Sequence, residues 1–119
     1  MKTTESREMY LETILKLRNR GSRCCAIDVA AELGFSRPSV SNAVKLLHRE
    51  GYIYVDDGGE LTLTELGAKK ANEIYERHVV LTKLLEKIGA NAEDAEENAC
   101  RIEHVISEDV FQLIKKYVD

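Results

Sequence analysis

The chain has no tryptophan, two phenylalanines and a single proline in 119 residues. Aliphatic side chains are plentiful, so the core is aliphatic, and at this length it serves one modest domain or two small lobes. No run is long or apolar enough to cross a bilayer as a helix. The start, Met1-Lys2-Thr3-Thr4-Glu5, lacks the apolar stretch of a secretory leader. Cysteine is sparse and odd in number, three in all. That argues against a disulfide framework and for a reducing cytoplasm. There is no His-Glu-x-x-His zinc-protease pattern, no nucleophile beside a base and no substrate-orienting set, so an enzyme is a distant third reading. Repeats and low-complexity segments are absent too.

Charge, by contrast, is abundant: 32% of residues, with a net of −4. It is unevenly spread. Residues 1–50 carry 9 Lys/Arg against 6 Asp/Glu, and residues 51–119 carry 8 against 15. A DNA-binding front and an acidic back have this asymmetry, although ordinary surface variation can produce it as well.

Apolar spacing predicts a helix near 5–20, with Tyr10, Leu11, Ile14, Leu15 and Leu17 in its stripe and Gly21 just past its end. A short helix over 24–33 stops at Gly34. A third begins behind Ser36 as N-cap, tolerates Pro38 in its first turn, and turns Val40, Val44 and Leu47 inward before Gly51. Tyr52-Ile53-Tyr54-Val55 and Glu60-Leu61-Thr62-Leu63 read as strands around the turn Asp56-Asp57-Gly58-Gly59. Thr64 caps a long helix over 65–88, with Leu66, Ala71, Ile74, His78, Leu81, Leu85 and Ile88 in its stripe. Helices over about 92–106 and after Ser107 follow. The fold class is mainly α: a DNA-binding domain over 1–64 and a helical domain over 65–119.

Helix, tight turn, helix and hairpin over 26–63 form a winged helix-turn-helix pattern, whose second helix enters the major groove of double-stranded DNA. Arg37, Ser39, Ser41, Asn42 and Lys45 are the polar positions at its start and on its outer face. Short hydroxyl and amide side chains there can approach base edges. Arg37 suits a guanine or a phosphate, and Lys45 a phosphate. Any surface helix shows polar residues opposite an apolar stripe, but here helix order, turn and hairpin agree. The acidic hairpin tip is a poor phosphate clamp. One such unit reads few base pairs, so a homodimer on a palindromic operator is expected.

A second constellation lies near the C-terminus. In helical register Glu96, Cys100, Glu103 and His104 stand at i, i+4, i+7 and i+8, on one face. Sulfur, nitrogen and oxygen donors on one face suit a divalent transition metal. Each alone has a plainer reading: a lone buried cysteine is a small hydrophobe, and a stripe histidine such as His78 is most often a satisfied core residue. Cys24 and Cys25 have no second pair nearby and read as packing residues.

Together, Thr4-Glu5-Ser6-Arg7-Glu8-Met9-Tyr10-Leu11, the winged helix, Arg77-His78 and Cys100-Arg101-Ile102-Glu103-His104-Val105-Ile106-Ser107 resemble the diphtheria toxin repressor family of metal-dependent repressors, which includes the manganese transport regulators. The resemblance spans essentially the whole chain. It implies that Met9, Cys100, Glu103 and His104 match the regulatory site of iron-type members, and that His78 matches a ligand of a second site. It implies that Glu12 matches a carboxylate of manganese-type members. Glu96 stands where iron-type members carry an ancillary histidine, and Thr82 where they carry an ancillary glutamate. The first exchange keeps a ligand type and the second removes one.

The implied function is metal-dependent repression of metal-uptake genes, with metal-bound protein binding DNA. The thiolate and thioether of Cys100 and Met9 favour Fe²⁺, while Glu12 and Glu96 pull toward Mn²⁺; Zn²⁺, Co²⁺ or Ni²⁺ should bind in vitro. A winged-helix regulator without metal control is the alternative. Iron-type members continue into a small SH3-like barrel, and none is expected within these 119 residues.

Overall fold

The computed structural model describes residues 4–119, with side chains from Ser6 onward; residues 1–3, read above for a leader, lie outside the described residues. Eight elements follow in order: α1 (Thr4–Asn19), α2 (Ala26–Leu33), α3 (Arg37–Arg49), β1 (Ile53–Val55), β2 (Leu61–Leu63), α4 (Glu65–Lys87), α5 (Ala92–Ile102) and α6 (Glu108–Val118). They divide into two compact units, Met1–Asn72 and Glu73–Asp119.

In the first unit, α1 buries Tyr10, Leu11, Ile14 and Leu17 against Val29 and Ala30 of α2, Val40, Ala43 and Leu47 of α3, and Ile53 and Leu61 of the hairpin. Each large aliphatic side chain buried there stabilises the unit by about 1.5–3 kcal/mol relative to exposure. Tyr10 also meets the ring of Phe35 edge-on, with centroids 6.1 Å apart.

The sequence predicts α2 from residue 24, but it begins at Ala26. Cys25 is extended (φ −108°, ψ 172°) and serves as N-cap, its N–H donating to Asp28 Oδ2 at 2.8 Å. Cys24 is held outside the helix by the hairpin. Its N–H donates to Glu60 Oε2 at 2.8 Å, and its carbonyl accepts from Leu61 N at 2.7 Å. Both thiols are buried, as packing residues should be. Gly34 ends α2 at φ 72°, where a Cβ would be strained.

Ser36 caps α3, its Oγ accepting from Ser39 N at 3.3 Å. The strands pair antiparallel, Ile53 opposite Leu63 and Val55 opposite Leu61. Asp56 Oδ1 accepts from the N–H groups of Gly58 and Glu60, each at 2.9 Å, and so fixes the wing tip. Ion pairs tie α1 to its neighbours, among them Arg7–Glu50 at 3.2 Å, Glu8–Lys70 at 3.8 Å and Arg18–Glu60 at 3.1 Å.

The unit border falls inside α4 because the first turns of that helix belong to the first core. Thr64 Oγ1 donates to Gly51 O at 2.7 Å and accepts from Gly67 N at 3.1 Å. A Cβ on Gly67 would collide with the Tyr52 carbonyl, so the approach of α4 to the hairpin requires glycine. Ala71 completes that core. The buried row of α4 runs through Gly67, Ala71, Ile74 and Leu81, which leaves Leu66 52% exposed and off the stripe expected for it. Ile88 is 67% exposed, because the helix has already ended at Lys87.

The second unit buries Ile74, Val80 and Leu81 of α4, Ala95 and Ala99 of α5 and Phe111 of α6. Asn91 caps α5, accepting from Asp94 N at 2.8 Å, and Ser107 caps α6, accepting from Val110 N at 3.2 Å. α5 stops at Ile102, short of the predicted 106. The N–H groups of Val105 and Ile106 both return to Ile102 O, at 3.0 and 3.2 Å, and close a turn.

Candidate metal centre and nucleic-acid interface

The early end of α5 shapes the acidic site. Glu103 is the C-cap and keeps helical angles (φ −57°, ψ −25°), so its side chain still follows the inward row. It has no solvent exposure. Its Oε2 lies 2.9 Å from His78 Nδ1 on α4, and its Oε1 lies 3.3 Å from His104 Nε2. The two imidazole side chains are 12% and 2% exposed. The structure thus gathers His78, Glu103 and His104 into one buried cluster inside the second unit.

The other residues of that row lie nearer solvent. Cys100, one turn before Glu103 on α5, is exposed, and so is Glu96 one turn earlier. On α1, Glu12 is 3% exposed and Met9 is half-buried one turn before it. A carboxylate as buried as Glu12 is not a plain surface acid. Thr82 Oγ1 donates to the His78 carbonyl at 2.7 Å, so its hydroxyl is spent on the helix that carries His78.

Two residues that the sequence named only as parts of its motifs carry contacts of their own. Glu8 is only 8% exposed and pairs with Lys70; its position four before Glu12 was the available signal. Arg77 donates to the carbonyls of Glu103 and Ile106, which no helical periodicity foretells.

A fully buried carboxylate keeps its charge only where cations or hydrogen-bond donors compensate it. Two flanking imidazoles and an oxygen donor also make a set that borderline divalent ions accept. The donor chemistry of the cluster therefore fits a divalent transition metal.

The outer face of α3 carries Arg37, Ser39, Ser41, Asn42 and Lys45, all exposed. Ser36 Oγ donates to Ser39 Oγ at 2.8 Å, so one hydroxyl at the helix start already serves the cap. A groove of about 670 Å³ separates this face from α1, lined by Ser6, Tyr10, Ser39, Asn42, Lys45 and Arg49 among others. Arg49, four residues after Lys45 and exposed, adds a cation that sequence reading left out. Asp56 and Asp57 leave the wing tip acidic and exposed.

These features define a DNA-binding regulator of the winged-helix class with a helical second unit. Residues 2–59 match the family model of the iron-dependent repressor N-terminal DNA-binding domain, and residues 64–119 match that of the iron-dependent repressor metal-binding and dimerisation domain. The chain belongs to this family of DNA-binding transcriptional repressors, which are not enzymes.

It is 35% identical over 116 residues to the iron-dependent repressor IdeR of Mycobacterium tuberculosis, covering 97% of this chain and 50% of that one. It is 32% identical over 118 residues to the HTH-type transcriptional regulator MJ0568 of Methanocaldococcus jannaschii, covering 98% of this chain and 94% of that one. Among solved structures it resembles the manganese regulator SloR, with TM-score 0.81 and 26% identity, over 94% of this chain and 53% of that one. The chain thus spans about half the length of IdeR and of SloR. No helix among the described residues is long and apolar enough to cross a membrane.

Proposed function

We propose that this chain is a metal-dependent repressor that binds a palindromic operator as a cytoplasmic homodimer and controls metal-uptake genes. The observation that carries this reading is Glu103, fully buried between the imidazoles of His78 and His104. His78, Glu103 and His104 would hold the ion, with Cys100 as thiolate donor and Met9 and Glu12 supplied by α1. Glu96 is the remaining oxygen donor on the α5 face. Fe²⁺ is the favoured ion and Mn²⁺ the next, since sulfur donors and carboxylates pull in opposite directions.

When bound, the ion would set positive charge beside the buried carboxylates and join donors distant in sequence. The protein's own part is to set α1, on which Arg7 pairs with Glu50 at the end of α3. A bias on α1 would thereby reach the helix that carries Arg37, Ser39, Ser41, Asn42 and Lys45. Linkage then requires that operator DNA tighten metal binding by the same factor by which metal tightens DNA binding. For the second copy, α6 offers Val110, Leu113 and Tyr117, exposed by 46, 65 and 60%. Apolar exposure on one helix face suits a subunit contact.

The test is selection of genomic fragments by the anaerobic protein with Fe²⁺, with Mn²⁺ and with chelator, followed by anisotropy titration of the selected fragment. Metal-stimulated binding that Cys100→Ala abolishes supports the reading. Equal binding with and without metal would favour a winged-helix regulator free of metal control.

A further inference from the structure

We infer that Arg77 is a positioning residue for the metal donors: it holds the main chain of the segment whose side chains form the buried cluster. This rests on the metal reading above.

The turn after α5 creates the need. α5 ends at Ile102, and the carbonyls of Glu103 and Ile106 point out of a chain that no longer continues as a helix. Orphan carbonyls at a helix end require donors from elsewhere. Arg77 supplies them from α4: its Nη1 donates to Glu103 O at 3.2 Å and to Ile106 O at 2.6 Å. Its Nη2 donates to Glu108 Oε1 at 3.0 Å, on the first turn of α6. The guanidinium carbon lies 5.3 Å from the centroid of the buried Phe111 ring, so the head group is also held by stacking. The side chain is 16% exposed.

The neighbouring residue on α4 is His78, which contacts the other end of the same amino acid. Arg77 takes the Glu103 carbonyl and His78 the Glu103 carboxylate, at 3.2 and 2.9 Å. Main chain and side chain of one buried acid are therefore gripped by consecutive residues. His104, next in the turn, inherits its position from the same anchor. The planar fork spreads these bonds over two nitrogens, Nη1 serving both carbonyls and Nη2 the carboxylate; a lysine ammonium carries its donors on a single nitrogen and does not reproduce that spacing. Partners of this kind, one shell outside the ligands, typically change metal affinity about ten- to a hundredfold when removed.

The experiment is an anaerobic Co²⁺ titration of the full chain, read by the visible d–d absorption of the bound ion, with circular dichroism as a check on folding. Wild type is compared with Arg77→Ala, Arg77→Lys and Glu108→Gln. Folded Arg77→Ala should bind Co²⁺ about ten- to a hundredfold more weakly and, at saturation, show d–d bands altered in position or intensity. Arg77→Lys should fall between. Glu108→Gln removes the surface ion pair and leaves both carbonyl bonds, so its spectrum should match wild type.

Wild-type affinity and spectrum in folded Arg77→Ala would overturn the assignment. If Arg77→Ala does not fold, Arg77→Lys carries the test, with an unaltered spectrum again overturning it. Failure of both variants to fold would make Arg77 a general stability residue and overturn it too. A wild-type protein that yields no Co²⁺ bands would remove the metal reading itself, and this inference with it.

Discussion

His78 Nδ1 stands 2.9 Å from Oε2 of Glu103, a fully buried carboxylate 25 residues away in sequence. Glu103→Gln keeps the shape and much of the hydrogen bonding of that side chain but removes its charge. The variant should fold, because an amide is cheaper to bury than a carboxylate. Its metal affinity should fall by at least about tenfold, since loss of a ligand should cost no less than loss of an outer partner. Isothermal titration with Mn²⁺ and Co²⁺ reads the change. Unaltered affinity would take Glu103 out of the site.

The first unit was legible in the sequence because its elements announce themselves locally. Ser36 and Thr64 cap the helices assigned to them, Gly34 ends α2, and Asp56-Asp57-Gly58-Gly59 turns the hairpin. The buried His78–Glu103–His104 cluster was half legible. Periodicity put Glu103 and His104 on one face and His78 on the inward side of α4, and the structure joins all three. Periodicity could not say where α5 would stop. The carbonyls left by that turn are met by Arg77 of α4, a contact distant in sequence with no local signature. The same blindness hid Glu8, a buried carboxylate whose ion-pair partner Lys70 lies sixty-two residues later in the numbering.

The exposed row on α3 divides by expected role. Asn42 has the bidentate amide that suits an adenine edge, whereas Lys45 is a point charge suited to phosphate. Asn42→Ala should cost about 1–3 kcal/mol on the preferred operator and relax its sequence preference. Lys45→Ala should weaken all sequences alike and reduce the slope of log K against log salt by about one. Anisotropy titrations over a salt series, on a matched and a scrambled duplex, separate the two. An Asn42→Ala protein equally weakened on both duplexes would reassign that residue to the backbone.

Cys24 gives a prediction in pH. Its thiol is fully buried, and burial raises its pKa from the ordinary 9.0 to about 11, with the nearby Glu60 carboxylate adding to the shift. Between those values the unfolded chain has released this proton and the folded chain still holds it. The folded state binds more protons there, so stability falls as pH rises. The contribution is present in full below pH 9 and is lost by about pH 11, worth roughly 2–3 kcal/mol at most. Urea unfolding at pH 8.5, 10 and 11, wild type against Cys24→Ala, isolates it. Tyr10, whose pKa burial also raises, is common to both proteins and drops out of the difference. The variant starts lower because of the cavity it leaves, but it should lose less stability across the series. Equal losses in the two proteins would rule out the Cys24 thiol as the source. Alkylation gives an independent check: at pH 8 iodoacetamide should modify the exposed Cys100 and spare Cys24. Metal that protects Cys100 in the same assay would be direct chemical support for its role as a ligand.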